Sequence, residues 1–112
     1  MVQEIYQNVE EVLESFIQEL KKHIRVERVI LFGSYSRNTP RSWSDIDIVV
    51  ISPDFHGGTE EDHLLLAKIA RKITPQIEAL PYLPEDLEKS DPQSFEAAIL
   101  RDGKVLYPKK AA

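Results

Sequence analysis

The chain opens with a spacing of apolar residues that is typical of an amphipathic helix. Apolar side chains recur at steps of three and four residues, and glutamates and lysines fill the positions between them. The apolar positions are Ile5, Val9, Val12, Leu13, Phe16, Ile17, Leu20 and Ile24. A cluster of basic residues follows at 21–23, where positive charge is favourable for the helix dipole.

Two short runs that are almost wholly apolar come next, at 29–32 and 45–51. The first is a continuous apolar run, which is typical of a strand that is covered on both faces, and the second predicts a further strand. Between the two strands, residues 33–37 predict a short helical turn, and 38–44 predict a polar loop interrupted by Pro40.

The second half of the chain continues the alternation of helices and strands. Thr59 with Asp62 three residues later predicts a capping box, which differs from the usual motif in having Asp rather than Glu. Pro81 and Pro84 are expected to flank a turn. The remaining elements predicted from the pattern are a helix over 60–73, a strand over 76–80, short helices over 84–87 and 92–100, and a last strand over 104–107.

This order of elements predicts an α/β (α+β) fold, in which helices pack on a small mixed sheet of about four strands. The pattern alone leaves the direction of the individual strands open. With 112 residues, the chain has room for one domain, which we assign to 1–108, followed by a loose tail over 109–112.

Composition and charge narrow the functional classes. The formal net charge of −5 argues against nonspecific binding to nucleic acid or to an anionic membrane, although a local basic pocket stays open. The chain has no cysteine, which excludes disulfides and thiolate chemistry. No apolar run approaches the ~20 residues that span a bilayer, and the acidic N-terminus is unlike a signal peptide. We therefore expect a cytoplasmic protein.

Asp45 and Asp47 are the first candidate for chemistry. They stand two positions apart in an otherwise apolar strand, so both carboxylates are expected on one face, with Cα atoms ~6.5–7 Å apart. Side chains at that separation can converge on divalent cations, and oxygen ligands favour Mg²⁺ first and Mn²⁺ second. The pair alone leaves a second interpretation open, in which both aspartates lie at a solvated strand end.

Gly33 and Ser34 are the second candidate. A glycine allows a phosphate to approach the backbone closely, and the N–H groups at a helix start attract anions. By itself the dipeptide favours an ordinary strand-to-helix turn. The spacing strengthens the interpretation as a phosphate site, because ten residues separate Ser34 from Asp45.

The combination Gly-Ser, ten residues, Asp-x-Asp resembles the signature of the DNA polymerase β-like nucleotidyltransferase superfamily. The fuller stretches 31–37 and 44–47 are similar to its minimal members, the MNT domains. Weaker similarity extends over the leading helix, the strand around Glu78, the Pro81-Tyr82 turn and the closing segment 103–107.

This resemblance implies the polymerase β-like fold and an ATP-binding site that uses two Mg²⁺ ions. Gly33 and Ser34 would hold the β- and γ-phosphates. Asp45 and Asp47 would bind the metal ions and act in catalysis. Ser44 lies beside them in the matching stretch and is assigned to nucleotide binding.

For three further positions, the resemblance leaves the role or the fit to the family pattern open. Glu78 matches a third carboxylate that would bind one metal ion and accept the proton of the incoming hydroxyl. Many relatives have Asp there, and a solvated strand residue is the alternative. Arg37 matches a common arginine that either contacts phosphate or braces the loop. Asn38 stands where many relatives have Gly; Asn tolerates a positive φ better than most residues, so the turn can persist.

The activity implied is transfer of AMP from ATP to a hydroxyl acceptor. In the resembling family the acceptor is typically a tyrosine of an all-helical HEPN protein, a toxin that the MNT protein neutralises as its antitoxin. Two alternatives remain: a non-catalytic module that neutralises the HEPN partner by contact, and a nucleotidyltransferase that modifies a small molecule. Nucleic-acid binding is not expected, and homo- or hetero-oligomers are both open.

Overall fold

The computed structural model of the chain describes residues 9–33, 46–88 and 91–108. Within these ranges the order of elements is α1 (Val9–Lys21), β1 (Arg28–Phe32), β2 (Ile46–Ile51), α2 (Glu60–Arg71), β3 (Ile77–Tyr82), α3 (Pro84–Glu88), α4 (Phe95–Asp102) and β4 (Lys104–Tyr107). The alternation of helices and strands predicted from the sequence is therefore confirmed. The predicted start of the first helix lies outside the described residues, as do 34–45 and the tail 109–112.

The four strands form one mixed sheet in the order β3-β2-β1-β4. β1 pairs antiparallel with both β2 and β4, whereas β2 and β3 run parallel. A parallel pair needs a crossover connection, and α2 provides it between β2 and β3. These pairings settle the strand directions that the sequence pattern leaves open.

Helices cover both faces of the sheet, which explains why β1 and β2 are apolar on successive positions. One face packs against α1 and α2 through a large core. Its fully buried members include Phe16, Leu20, Ile46, Ile48 and Leu66. The opposite face packs against α3 and α4 through a smaller core formed by Ile30, Val49, Ile51, Leu87 and Ile99. Because β2 contributes to both cores, period-two alternation of polar and apolar residues is absent over most of its length.

The expected turn at Pro81 is wrong. Pro81 is buried within β3 and pairs with Val50 in the parallel ladder. Proline is tolerated there because, among the described residues, β3 lies at the edge of the sheet and has no neighbouring strand on one side to receive an N–H. Pairing continues beyond it, since the amide of Ser52 donates to the Tyr82 carbonyl at 3.1 Å.

Asp62 closes the N-terminus of α2 with the capping box predicted from the sequence. Its buried carboxylate accepts hydrogen bonds from the amides of His56, Gly58 and Thr59 at 2.8–3.2 Å. The His56 ring nitrogen Nδ1 lies 3.2 Å from the other carboxylate oxygen. Burial would by itself raise the pKa of Asp62, but these hydrogen bonds outweigh it and hold the pKa below its ordinary value.

We expect Asp62→Ala to lower the free energy of unfolding by about 2 kcal/mol, because three backbone amides lose a charged acceptor. A urea titration would measure the loss, with Glu60→Ala, an exposed change in the same helix turn, as the control near zero. A lowered carboxyl pKa stabilises the fold above the ordinary value of 3.8 and loses this effect as pH falls through the folded pKa. The difference between wild type and variant should therefore shrink below about pH 4; a difference that is constant with pH would contradict this account.

None of the helices in the described ranges is both long enough and apolar enough to cross a membrane.

Candidate active site

A row of three side chains crosses the face of the sheet that α3 and α4 cover. Phe32 at the end of β1 is directly opposite Asp47 near the start of β2, and Asp47 is in register with Glu78 near the start of β3. Residues that pair directly across neighbouring strands project to the same face, and neighbouring strands lie ~4.8 Å apart. The register therefore brings the carboxylates of Asp47 and Glu78 side by side at one end of the sheet.

The two carboxylates differ in their surroundings. Asp47 is half-buried, whereas Glu78 is exposed. On the same face, the next residues along the strands are Val49 and Leu80, which belong to the smaller core or pack against it. The acidic pair of Asp47 and Glu78, which we call the acidic row, thus lies at the rim of an apolar layer.

Gly33 lies immediately beside Asp47 and could be no other residue without a shift. Its φ of +76° is in the left-handed region, which L residues rarely adopt. A Cβ atom at this position would lie 2.6 Å from Oδ2 of Asp47. Glycine is therefore needed to leave room for the carboxylate. This need depends on strand pairing and cannot be predicted from the sequence pattern.

The structure brings together three of the residues that the sequence singles out, namely Gly33, Asp47 and Glu78. Ser34, Arg37, Ser44 and Asp45 lie outside the described residues, so their placement stays a prediction. Within the described ranges, no group of three or more acidic or histidine side chains forms a metal-binding cluster. Asp47 and Glu78 supply two carboxylates of the proposed set.

The donor set fits the divalent cation that the family resemblance implies. Both carboxylates offer oxygen ligands only, which suit Mg²⁺ better than a thiophilic metal. Glycine at position 33 keeps a side chain out of the space beside Oδ2 of Asp47. Like charges at this spacing are unfavourable without compensation, and a cation would compensate them.

Tyr82 helps to hold α4 over this face of the sheet. Its hydroxyl donates a hydrogen bond of 3.0 Å to Glu96 in the first turn of α4. Burial and this hydrogen bond raise the pKa of Tyr82 to about 12, so the hydroxyl keeps its proton at neutral pH. The contact therefore fixes the layer that borders the acidic row.

An aromatic pair beside the acidic row was not singled out by the sequence analysis. Phe32 and Phe95 meet edge to face, with ring centroids 5.6 Å apart and planes at 79°. Phe32 belongs to an apolar run that is typical of a core strand, and Phe95 lies within the helix predicted over 92–100. No local sequence signal connects them, because their contact depends on how α4 crosses the sheet.

Comparison with known proteins identifies the class. A family model described as a nucleotidyltransferase domain matches residues 10–102, which is most of the chain. The chain belongs to this nucleotidyltransferase family. The recognition from the Gly-Ser and Asp-x-Asp spacing and the assignment as a nucleotidyltransferase are thereby confirmed.

A relative over the whole domain comes from Methanocaldococcus jannaschii. It carries the name "Putative protein adenylyltransferase" and is 33% identical over 104 residues, which cover 89% of this chain and 99% of the relative.

Solved structures support the fold. A crystal structure described as a toxin–antitoxin with AMP-PNP aligns with a TM-score of 0.63 at 24% identity, covering 92% of this chain and 76% of that one. A mutant of the toxin–antitoxin MntA-HpeT aligns with a TM-score of 0.59 at 22% identity, covering 87% and 73%. The predicted α+β fold with a mixed four-stranded sheet is thus confirmed.

Proposed function

We propose that this nucleotidyltransferase moves AMP from ATP to a hydroxyl of a partner protein, a tyrosine of a HEPN-domain toxin, and thereby acts as an antitoxin. The observation that carries the proposal is the alignment of Gly33, Asp47 and Glu78 at one end of the sheet. It joins a backbone position without a side chain to two carboxylates on one face. This combination suits phosphate binding beside a divalent cation.

In this proposal, Gly33 and Ser34 hold the β- and γ-phosphates of ATP, assisted by Arg37 and Ser44. Asp45, Asp47 and Glu78 hold two Mg²⁺ ions, for which Mn²⁺ is a substitute. When bound, the ions supply positive charge that stabilises the attacking and leaving oxygens. The protein otherwise positions the reactants, which is the larger part of catalysis in phosphoryl and nucleotidyl transfer.

The transfer needs no reactant other than ATP and the acceptor hydroxyl. The acceptor oxygen forms a bond to the α-phosphorus, the bond between that phosphorus and the bridging oxygen of the β-phosphate breaks, and pyrophosphate leaves. Glu78 accepts the proton of the acceptor hydroxyl. Its exposed position on β3 allows a macromolecular acceptor to reach it.

Three findings support the finer parts of the proposal. The relative's name supports a protein as acceptor. The neighbour with AMP-PNP, an ATP analogue, supports an adenine nucleotide as donor. Both structural neighbours come from toxin–antitoxin pairs, which supports a toxin as partner.

The test is label transfer from ATP to the purified HEPN partner in the presence of Mg²⁺. Label at the α-phosphate should appear on the partner, whereas label at the γ-phosphate should leave as pyrophosphate, which separates AMP transfer from phosphorylation. The double variant Asp45→Ala/Asp47→Ala should abolish the α-label transfer. Neutralisation of the toxin that persists in this variant would instead support a module that acts by contact.

A further inference from the structure

An open cavity of about 710 Å³ lies between the end of β1 and the face of α4. Its lining combines the aromatic pair with small and charged side chains, namely Phe32, Gly33, Phe95, Ala98, Arg101 and Asp102. Ligand pockets of small molecules commonly fall in this range of volume. The cavity is therefore large enough for a heteroaromatic ring and an attached sugar.

The cavity begins where the acidic row ends. Gly33 belongs both to the cavity lining and to the contact with Asp47. Phe32 is directly opposite Asp47 in the strand pairing, one strand spacing of ~4.8 Å away. A molecule with its phosphates at Gly33 and beside Asp47 could thus extend into the cavity without crossing any helix of the described ranges.

The cavity offers an aromatic surface that is not fully covered by protein. Phe95 is the first residue of α4 and is 51% exposed, although its ring meets the ring of Phe32 edge to face. Exposed aromatic rings beside a charged site are suited to stacking on a planar ring, because every nucleobase presents a π-face.

Part of the cavity rim is polar, because Arg101 and Asp102 belong to its lining. Arg101 and Asp102 pair with each other at 3.2 Å, and both side chains are more than 60% exposed. They bring hydrogen-bond donors and acceptors to the same rim, which is what the heteroatom-rich edge of a nucleobase requires. The ring of an acceptor tyrosine, which has a single polar atom, would use this rim less well.

We propose that this cavity holds the nucleobase of the bound nucleoside triphosphate, with Phe95 as the stacking residue and Arg101 with Asp102 at the polar edge of the base. The inference rests on the proposed function, since it takes the phosphates to lie at Gly33. Purines are favoured over pyrimidines because their larger ring system stacks over more of the Phe95 ring.

The experiment compares two ligands that share phosphates but differ in the base, ATP and inorganic tripolyphosphate, each titrated calorimetrically in the presence of Mg²⁺. Phe95→Ala should weaken ATP binding by about tenfold, the loss expected for one stacked base, and leave tripolyphosphate binding unchanged. Phe95→Trp, which keeps an aromatic surface, should retain the affinity for ATP.

Leu64→Ala is the matched control, because Leu64 is a similarly exposed apolar side chain on α2, which packs on the other face of the sheet. It should leave both affinities unchanged. Equal affinity of wild type and Phe95→Ala for ATP would overturn the inference, even if the variant slows transfer to the acceptor. Equal weakening of both ligands would also overturn it.

The failure of the proposed function has a different signature. In that case, wild-type protein would bind neither ATP nor tripolyphosphate with Mg²⁺. The inference that the cavity holds the nucleobase would then be overturned as well.

Discussion

Replacing Asp47 with asparagine should reduce AMP transfer by about a thousandfold or more and leave the protein folded. The amide has nearly the same shape but carries no charge, so the proposed metal ligand and its compensation of positive charge would both be lost. Such a contribution is worth several kcal/mol, and about 4 kcal/mol corresponds to a thousandfold in rate. The rate of α-label transfer to the partner at saturating Mg²⁺ measures the loss.

A second measurement separates chemistry from folding. ATP with Mg²⁺ should raise the melting temperature of the wild-type protein and should do so much less for Asp47→Asn. Asp86→Asn is the control, since Asp86 is an exposed aspartate on α3 outside the acidic row. Transfer by Asp47→Asn within tenfold of the wild-type rate would refute the role of this carboxylate.

Gly33→Ala should lower the transfer rate by about a hundredfold. The new Cβ would lie 2.6 Å from Oδ2 of Asp47, so the carboxylate has to move. Displacement of a reacting group by about 1 Å can reduce a rate by this factor. The positive φ adds strain, which should lower the free energy of unfolding by about 1–2 kcal/mol.

Gly57→Ala is a matched control for the strain alone. Gly57 has a φ of +90°, but an added Cβ would meet only Cδ1 of Leu83, at the ordinary contact distance of 3.9 Å. Both variants should therefore lose similar stability in a urea titration, while only Gly33→Ala loses activity. If the two variants were equally slow, the effect would come from backbone strain rather than from the displaced carboxylate.

The parts of the fold that could be predicted from sequence are those set by local chemistry. The spacing of apolar residues in α1, the continuous runs of β1 and β2, and the capping box of Thr59 and Asp62 each depend on a few neighbouring residues. Pro81 was wrongly assigned to a turn, because its tolerance depends on β3 being an edge strand. That fact is determined by pairings between distant parts of the chain.

The same distinction, between features set by local sequence and features set by the pairing of distant segments, applies to the candidate site. The Gly-Ser and Asp-x-Asp motif predicts site roles for Gly33 and Asp47, and the family resemblance predicts one for Glu78. Their alignment follows from the register of three strands. The contact of Phe95 with Phe32 joins two segments that are far apart in sequence, so no periodicity could reveal it. Sequence chemistry thus indicated which residues matter, while topology determined which of them meet.

The unequal covering of the two sheet faces has a consequence for how such a protein can change. The 13-residue α1 and the 12-residue α2 bury the larger core, whereas the acidic row shares its face with helices of five and eight residues. Most of the apolar surface that maintains the architecture is therefore remote from the chemistry. We therefore expect that substitutions in the layer of α3 and α4 can change ligand preference during evolution with little loss of stability. The layer of α1 and α2 buries the larger core and contributes most of the stability.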